Sequence, residues 1–119
     1  MVAEDFSQAS LLVRSCSFAE THFKLVVREC DAPGAPKRWG PVTAVHTQGS
    51  FHYRHRAADI SGSEANMQRF VAWALRTHLD ELAELIHNPG GSVDNGIVVP
   101  ASFWGSAWGR HTNHVHFAI

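Results

Sequence analysis

The 119-residue chain is poor in several features that would narrow its function. It has only two cysteines, Cys16 and Cys30, with no CxxC and no second pair. That excludes a thiolate zinc knuckle. Without a secretion signal, the two read as buried free thiols rather than a disulfide. Charge of one sign is also lacking: ten basic against eleven acidic residues leave a formal net charge of -1. That argues against a polybasic nucleic-acid binder and against a supercharged, disordered chain. No apolar run approaches the roughly 20 residues of a membrane span. Glu4 and Asp5 stand where a signal peptide needs positive charge, and Leu11-Leu12-Val13 is too short for its apolar segment. The expectation is cytoplasmic synthesis without a signal peptide, and no nucleic-acid or membrane partner. There is no HExxH, so a thermolysin-type helix is excluded. No repeat, heptad or low-complexity tract is present.

What remains is enough for one domain spanning 1–119. With 45% hydrophobic residues, a chain of this size buries about 60–70% of its unfolded surface and needs no disulfide staple. Residues 5–18 suggest a short helix with Phe6, Leu11, Val13 and Phe18 as apolar contacts. Phe23–Arg28 alternates as a strand. Asp31 to Pro41, with three prolines and two glycines, reads as a loop. Val42–Thr47 suggests another strand. Ser61 to Leu79 is the best helix: Ser61 and Glu64 have capping-box spacing, and Met67, Phe70, Val71, Ala74, Leu75 and His78 follow helical periodicity. Leu82–His87 has helical propensity, but the Asn88-Pro89-Gly90-Gly91 turn after it favours a strand. Asn95-Gly96 is a turn, Ile97–Val99 a short β segment, and Val115–Ile119 a closing strand. Ala101–Trp108 fits no single element. The sum is an α+β fold: a small, largely antiparallel sheet with one main helix on a face.

Histidine is the residue in excess, nine in all, and it is the commonest metal ligand. In His114-Val115-His116, residues two apart on a strand share a face. Both imidazoles then point to one side while Val115 and Phe117 face the core. Alone the pattern is weak, because nine histidines produce an H-x-H roughly once by chance. A second segment, Ser50 to Ile60, offers His52 and Asp59 seven apart. An odd spacing puts them on opposite faces of a straight strand, so a bend or bulge between them is required. Two imidazoles and one carboxylate make the three-ligand set of a catalytic zinc site, with one position left open.

The pattern S-x-H-x-x-x-x-A-x-D, formed here by Ser50, His52, Ala57 and Asp59, is followed by the late His114-Val115-His116. Together they resemble the zinc D-alanyl-D-alanine peptidase family. That family includes D,D-carboxypeptidases, D,D-dipeptidases, penicillin-insensitive murein endopeptidases and phage endolysins. The likeness extends loosely over Gln48 to Ile119 and implies a hedgehog/D-Ala-D-Ala-peptidase-like fold with a zinc cleft. It implies Zn²⁺ held by His52, Asp59 and His116, and hydrolysis of a peptide bond in bacterial peptidoglycan. Gln48 and Ser50 fall where the family contacts substrate, and Arg54 and Arg56 are candidates for a stem-peptide carboxylate. A solvated face is the alternative for both arginines. Trp104 and Trp108 either wall the cleft or pack in the core.

Two positions depart from the family. His55 stands where a glycine is usual three residues after the first ligand. Asn113 stands where many members place a carboxylate base three residues before the last. His114 is then the first candidate for the base and His111 the second, as the murein endopeptidases carry extra histidines there. His22, His46, His78 and His87 are assigned to structure. The absent leader suggests a monomeric phage endolysin or a catalytic domain acting on the cell wall. The alternative is a zinc-stabilised binding or structural domain that has lost its base. The scissile bond stays open.

Overall fold

A computed structural model of the chain describes residues 7–40 and 56–119. The first helix, α1 (Ser7–His22), runs into β1 (Val26–Glu29). After the loop come β2 (Ala57–Ser61), α2 (Glu64–His78), β3 (Glu84–His87), β4 (Gly91–Asp94), β5 (Ile97–Val98), the short α3 (Ser106–Gly109) and β6 (Val115–Ala118). The six strands form one sheet in the order β1-β2-β6-β3-β4-β5, and each paired strand is antiparallel to its neighbour. The α+β expectation holds at this level, with α1 a second helix comparable in length to α2.

Alternation along the strands sorts the residues between two faces. Val27, Ala58, Ile60, Leu85, Val93, Val115 and Phe117 all belong to the main buried core, with Met67, Phe70, Val71 and Ala74 of α2 and Leu12, Cys16 and Ala19 of α1. The alternate positions of β1, β2, β3 and β6 (Arg28, Asp59, Glu84 and His116) therefore point to the opposite face. There a small cluster of Ala57, Ala83 and Ala118 keeps the backbone closely covered. Cys16 and Cys30 are buried and unbridged. Hydrogen bonding between the two thiols, with burial, holds the Cys16 thiol well above its ordinary value.

Several local expectations are met. Asn95 and Gly96 take positive φ, 53° and 77°, in the turn between β4 and β5, as a two-residue hairpin with right-handed strand twist requires. The strand expected over Leu82–His87 is β3 from Glu84 to His87, and a 3-10 turn at Leu79–Glu81 separates it from α2. Others need correction. The cap of α2 is Ser63, whose hydroxyl accepts from the Asn66 amide. Ser61 still belongs to β2 and accepts instead from Arg28 Nε, so its spacing to Glu64 was not a capping box. The helix expected at 5–18 extends to His22. Strand β4 went unread among turn residues. The strand expected at Val42–Thr47 lies outside the described residues. No described helix is long and apolar enough to cross a membrane.

Phe70 holds the core together. It is fully buried, with its ring 5.4 Å from Phe117, 5.6 Å from Trp73 and 5.8 Å from Phe23. Phe70→Ala is expected to cost about 3–5 kcal/mol, the range for truncating a buried aromatic ring. Urea denaturation measures it, and a loss near zero would mean that α2 is not packed on the sheet as described.

Candidate functional site

The register of β2 against β6 places Asp59 directly opposite His116. His116 is 6% exposed, and its Nδ1 lies 3.6 Å from Asp59 Oδ1. That is too long for a hydrogen bond. It matches two ligands on one tetrahedral zinc, whose bonds of about 2.0–2.2 Å set ligand atoms roughly 3.3–3.6 Å apart. On its other side His116 Nε2 donates to Glu84 Oε1 at 2.7 Å. Glu84 reaches it diagonally: in the β3–β6 ladder Glu84 pairs with Ala118 and Ile86 with His116. A carboxylate on the far nitrogen is the usual support for a metal-binding imidazole, fixing its tautomer and orientation. Burial disfavours the His116 cation, but Asp59 and Glu84 outweigh it and raise the imidazole from 6.5 to about 9. The two carboxylates thus favour the cationic form of His116.

His114 stands next to this pair, its Nε2 4.0 Å from Asp59 Oδ1. Its Nδ1 donates to Asn113 Oδ1 at 2.8 Å, because an amide oxygen only accepts. That commits the Nδ1 proton and leaves the Nε2 side of the ring toward Asp59. Asn113 thus orients the first candidate base. The His111 ring centroid is 4.6 Å from that of His114 and 6.0 Å from that of His116. Its Nδ1 donates to the Ala107 carbonyl at 2.6 Å. Burial, with smaller contributions from His114 and His116, pushes His111 down to about 4. It is neutral but weakly basic at pH 7, which weighs against His111 as the proton acceptor.

Arg28 completes the visible site. It lines an open cleft with Asp59, Ser61, Asn113 and His114. The pairing of β1 with β2 slips between Val27 and Glu29, so that Arg28 is the extra residue opposite Ile60 and Asp59. Such a bulge re-aims a side chain, and Arg28 Nε is held by Ser61 Oγ at 2.9 Å. A larger hollow, lined among others by Leu11, Arg56, Asp80, Leu82 and Ile119, has no histidine among its described lining residues.

Of the expected residues, Asp59, His111, His114 and His116 are brought together. His52, Gln48, Ser50 and Arg54 lie outside the described residues, as does His46. Among the described residues no three His, Cys, Asp or Glu side chains form a group that would hold a metal; the expected third ligand is His52. Arg56 is tied to the Ile119 carbonyl at 2.7 Å. Trp104 donates to Ser92 on β4 at 2.8 Å and does not line the Asp59 cleft. His22 stacks on Phe18, and His78 meets Glu81. Glu84 and Arg28 were missed, although the alternation of β1 and β3 already placed them off the core face.

No family model matches this chain, and neither a curated protein nor a solved structure does.

The sign of the His116 shift gives a test on metal-free protein. A folded-state value of about 9, above the ordinary 6.5, contributes stability below about pH 6.5 that is lost as pH rises through 9. With chelator present, urea denaturation is expected to show falling stability across that window, and Glu84→Gln to flatten the slope. Identical slopes in both proteins would show that Glu84 does not hold the His116 charge.

Proposed function

We propose that the chain is a zinc-dependent peptidase acting on a peptide bond of bacterial peptidoglycan, of the kind its motifs resemble. The observation that carries this reading is the opposition of Asp59 and His116, spaced for a shared ion, with Glu84 fixing the far nitrogen of His116. His52, Asp59 and His116 would hold the Zn²⁺. When bound, zinc supplies Lewis acidity toward a peptide carbonyl and makes water more acidic. Two neutral histidines and one carboxylate leave such a site with a net charge of about +1.

The remaining roles belong to side chains of the chain. His114 Nε2 takes the proton from the attacking water and returns it to the leaving amine. Asn113 holds His114 in the tautomer that leaves Nε2 able to accept. Arg28, fixed by Ser61, presents its guanidinium to the developing oxyanion or to a stem-peptide carboxylate. Gln48, Ser50 and Arg54 are the further substrate contacts. The protein would act as a monomer at the cell wall, as an endolysin or a catalytic domain. Asn113 in place of a carboxylate favours a second reading, a zinc-stabilised domain that binds wall peptide without cleaving it.

Elemental analysis is expected to find about one zinc per chain, lost in Asp59→Ala and His52→Ala. A wild-type protein that holds no zinc and takes none up would overturn the site. His114→Ala is expected to keep zinc and lose about 10²–10⁴-fold in turnover, the usual contribution of general-base catalysis. Loss in His111→Ala instead would move the base to His111. Zinc that raises the melting temperature without any product from purified sacculi would establish the binding-domain reading. Where product does form, its identity names the bond.

A further inference from the structure

We propose that His87 is a positioning residue: from the helix side of the sheet it holds the segment that carries His111 and His114, and so sets the place of the candidate base. Its catalytic consequence rests on the peptidase reading above. His87 ends β3 and is fully buried. Leu85, two residues earlier, faces the main core, so His87 lies on the helix-covered face, away from Asp59 and Glu84. Its Nδ1 donates to the His114 carbonyl at 3.0 Å, since a carbonyl only accepts. Its Nε2 lies 3.2 Å from Glu64 Oε2 in the first turn of α2, and Gln68 donates to the same oxygen at 2.7 Å. The next residue continues the grip, as the Asn88 amide donates to the His111 carbonyl at 2.9 Å.

The end of β3 therefore binds the carbonyls of both candidate bases. The segment between α3 and β6 lies outside the sheet ladder, whose β2–β6 pairing reaches only to Val115. Among the described residues, these two hydrogen bonds join the segment's backbone to the end of β3 at His111 and His114. A buried imidazole is costly unless its polar atoms are satisfied, and each nitrogen of His87 lies within hydrogen-bond distance of an acceptor, the His114 carbonyl and the Glu64 carboxylate. One partner belongs to α2 and the other to the His114 backbone, so the helix and the site segment are linked through a single side chain. Asn113 then orients the His114 ring and His87 locates its backbone. Neither contact touches Asp59 or His116.

Two amide substitutions separate this role from mere filling of the core. His87→Asn puts an amide nitrogen near the Nδ1 position and keeps a donor for the His114 carbonyl. His87→Gln reaches toward Glu64 and leaves that carbonyl without a donor. On a soluble muropeptide substrate, zinc-loaded His87→Gln is expected to lose about 10–100-fold in kcat, the usual effect of removing an outer support, with KM and bound zinc unchanged. His87→Asn is expected to stay close to wild type. Hydrogen exchange across 110–116 is expected to speed up in His87→Gln and not in His87→Asn. Glu64→Ala, which removes the outer half of the tie at an exposed position, is expected to loosen the same segment. It also guards against a His87 variant that fails to fold. Equal kcat in the two amide variants, or a slower His87→Asn, would overturn the proposal. If the wild type cleaves nothing, the peptidase reading fails by itself. Exchange across 110–116 then decides, and no change in His87→Gln or Glu64→Ala overturns the role of His87.

Discussion

The antiparallel register of β2 on β6 is held from the side of the sheet that carries no chemistry. Ala58 and Ile60 on one strand, Val115 and Phe117 on the other, all enter the core beneath the helices. A slip of β6 by one residue would turn Val115 and Phe117 outward and drive His116 inward. Burying a large apolar side chain is worth about 1.5–3 kcal/mol. Such side chains together outweigh the single Asp59–His116 pair, whose attraction is partly offset by desolvation. The hydrophobic face thus chooses the register, and the site inherits it.

From that register the rest of the site follows in layers. The ladder of β3 with β6 brings Glu84 to His116. The irregularity in β1 turns Arg28 toward the Asp59 cleft. The loop after α3 delivers His111 and His114 to the same place, and the end of β3 secures it from behind. Two carboxylates face His116 and favour its protonated form. A divalent cation would satisfy the same carboxylates, and its binding would compete with that proton.

Legibility from sequence tracked the range of the interaction. The alternation Val115-His116-Phe117, the Asn95-Gly96 turn and the periodicity of α2 are set by neighbours in the chain, and each appears as expected. The Ser61–Glu64 spacing misled because the Ser61 hydroxyl is engaged by Arg28, a residue distant in sequence. Strand β4 was hidden because Gly91 and Ser92 look like turn residues, and its strand character comes from pairing with β3. His87 reads from sequence as a structural residue, and its partners, Glu64 and the His114 carbonyl, come from two other elements.

By itself the sequence determined which residue types are available for chemistry and which of them share a strand face. That followed from the two-residue period of β-structure and needed no partner strand. Only the tertiary structure decided that Asp59 meets His116, that Glu84 and not another carboxylate supports it, and that Arg28 rather than Arg56 enters the cleft. The reason is physical: strand order and register are fixed by burial summed over the whole core. No local pattern contains that sum, so none could name the cross-strand partners that make a set of histidines into a site.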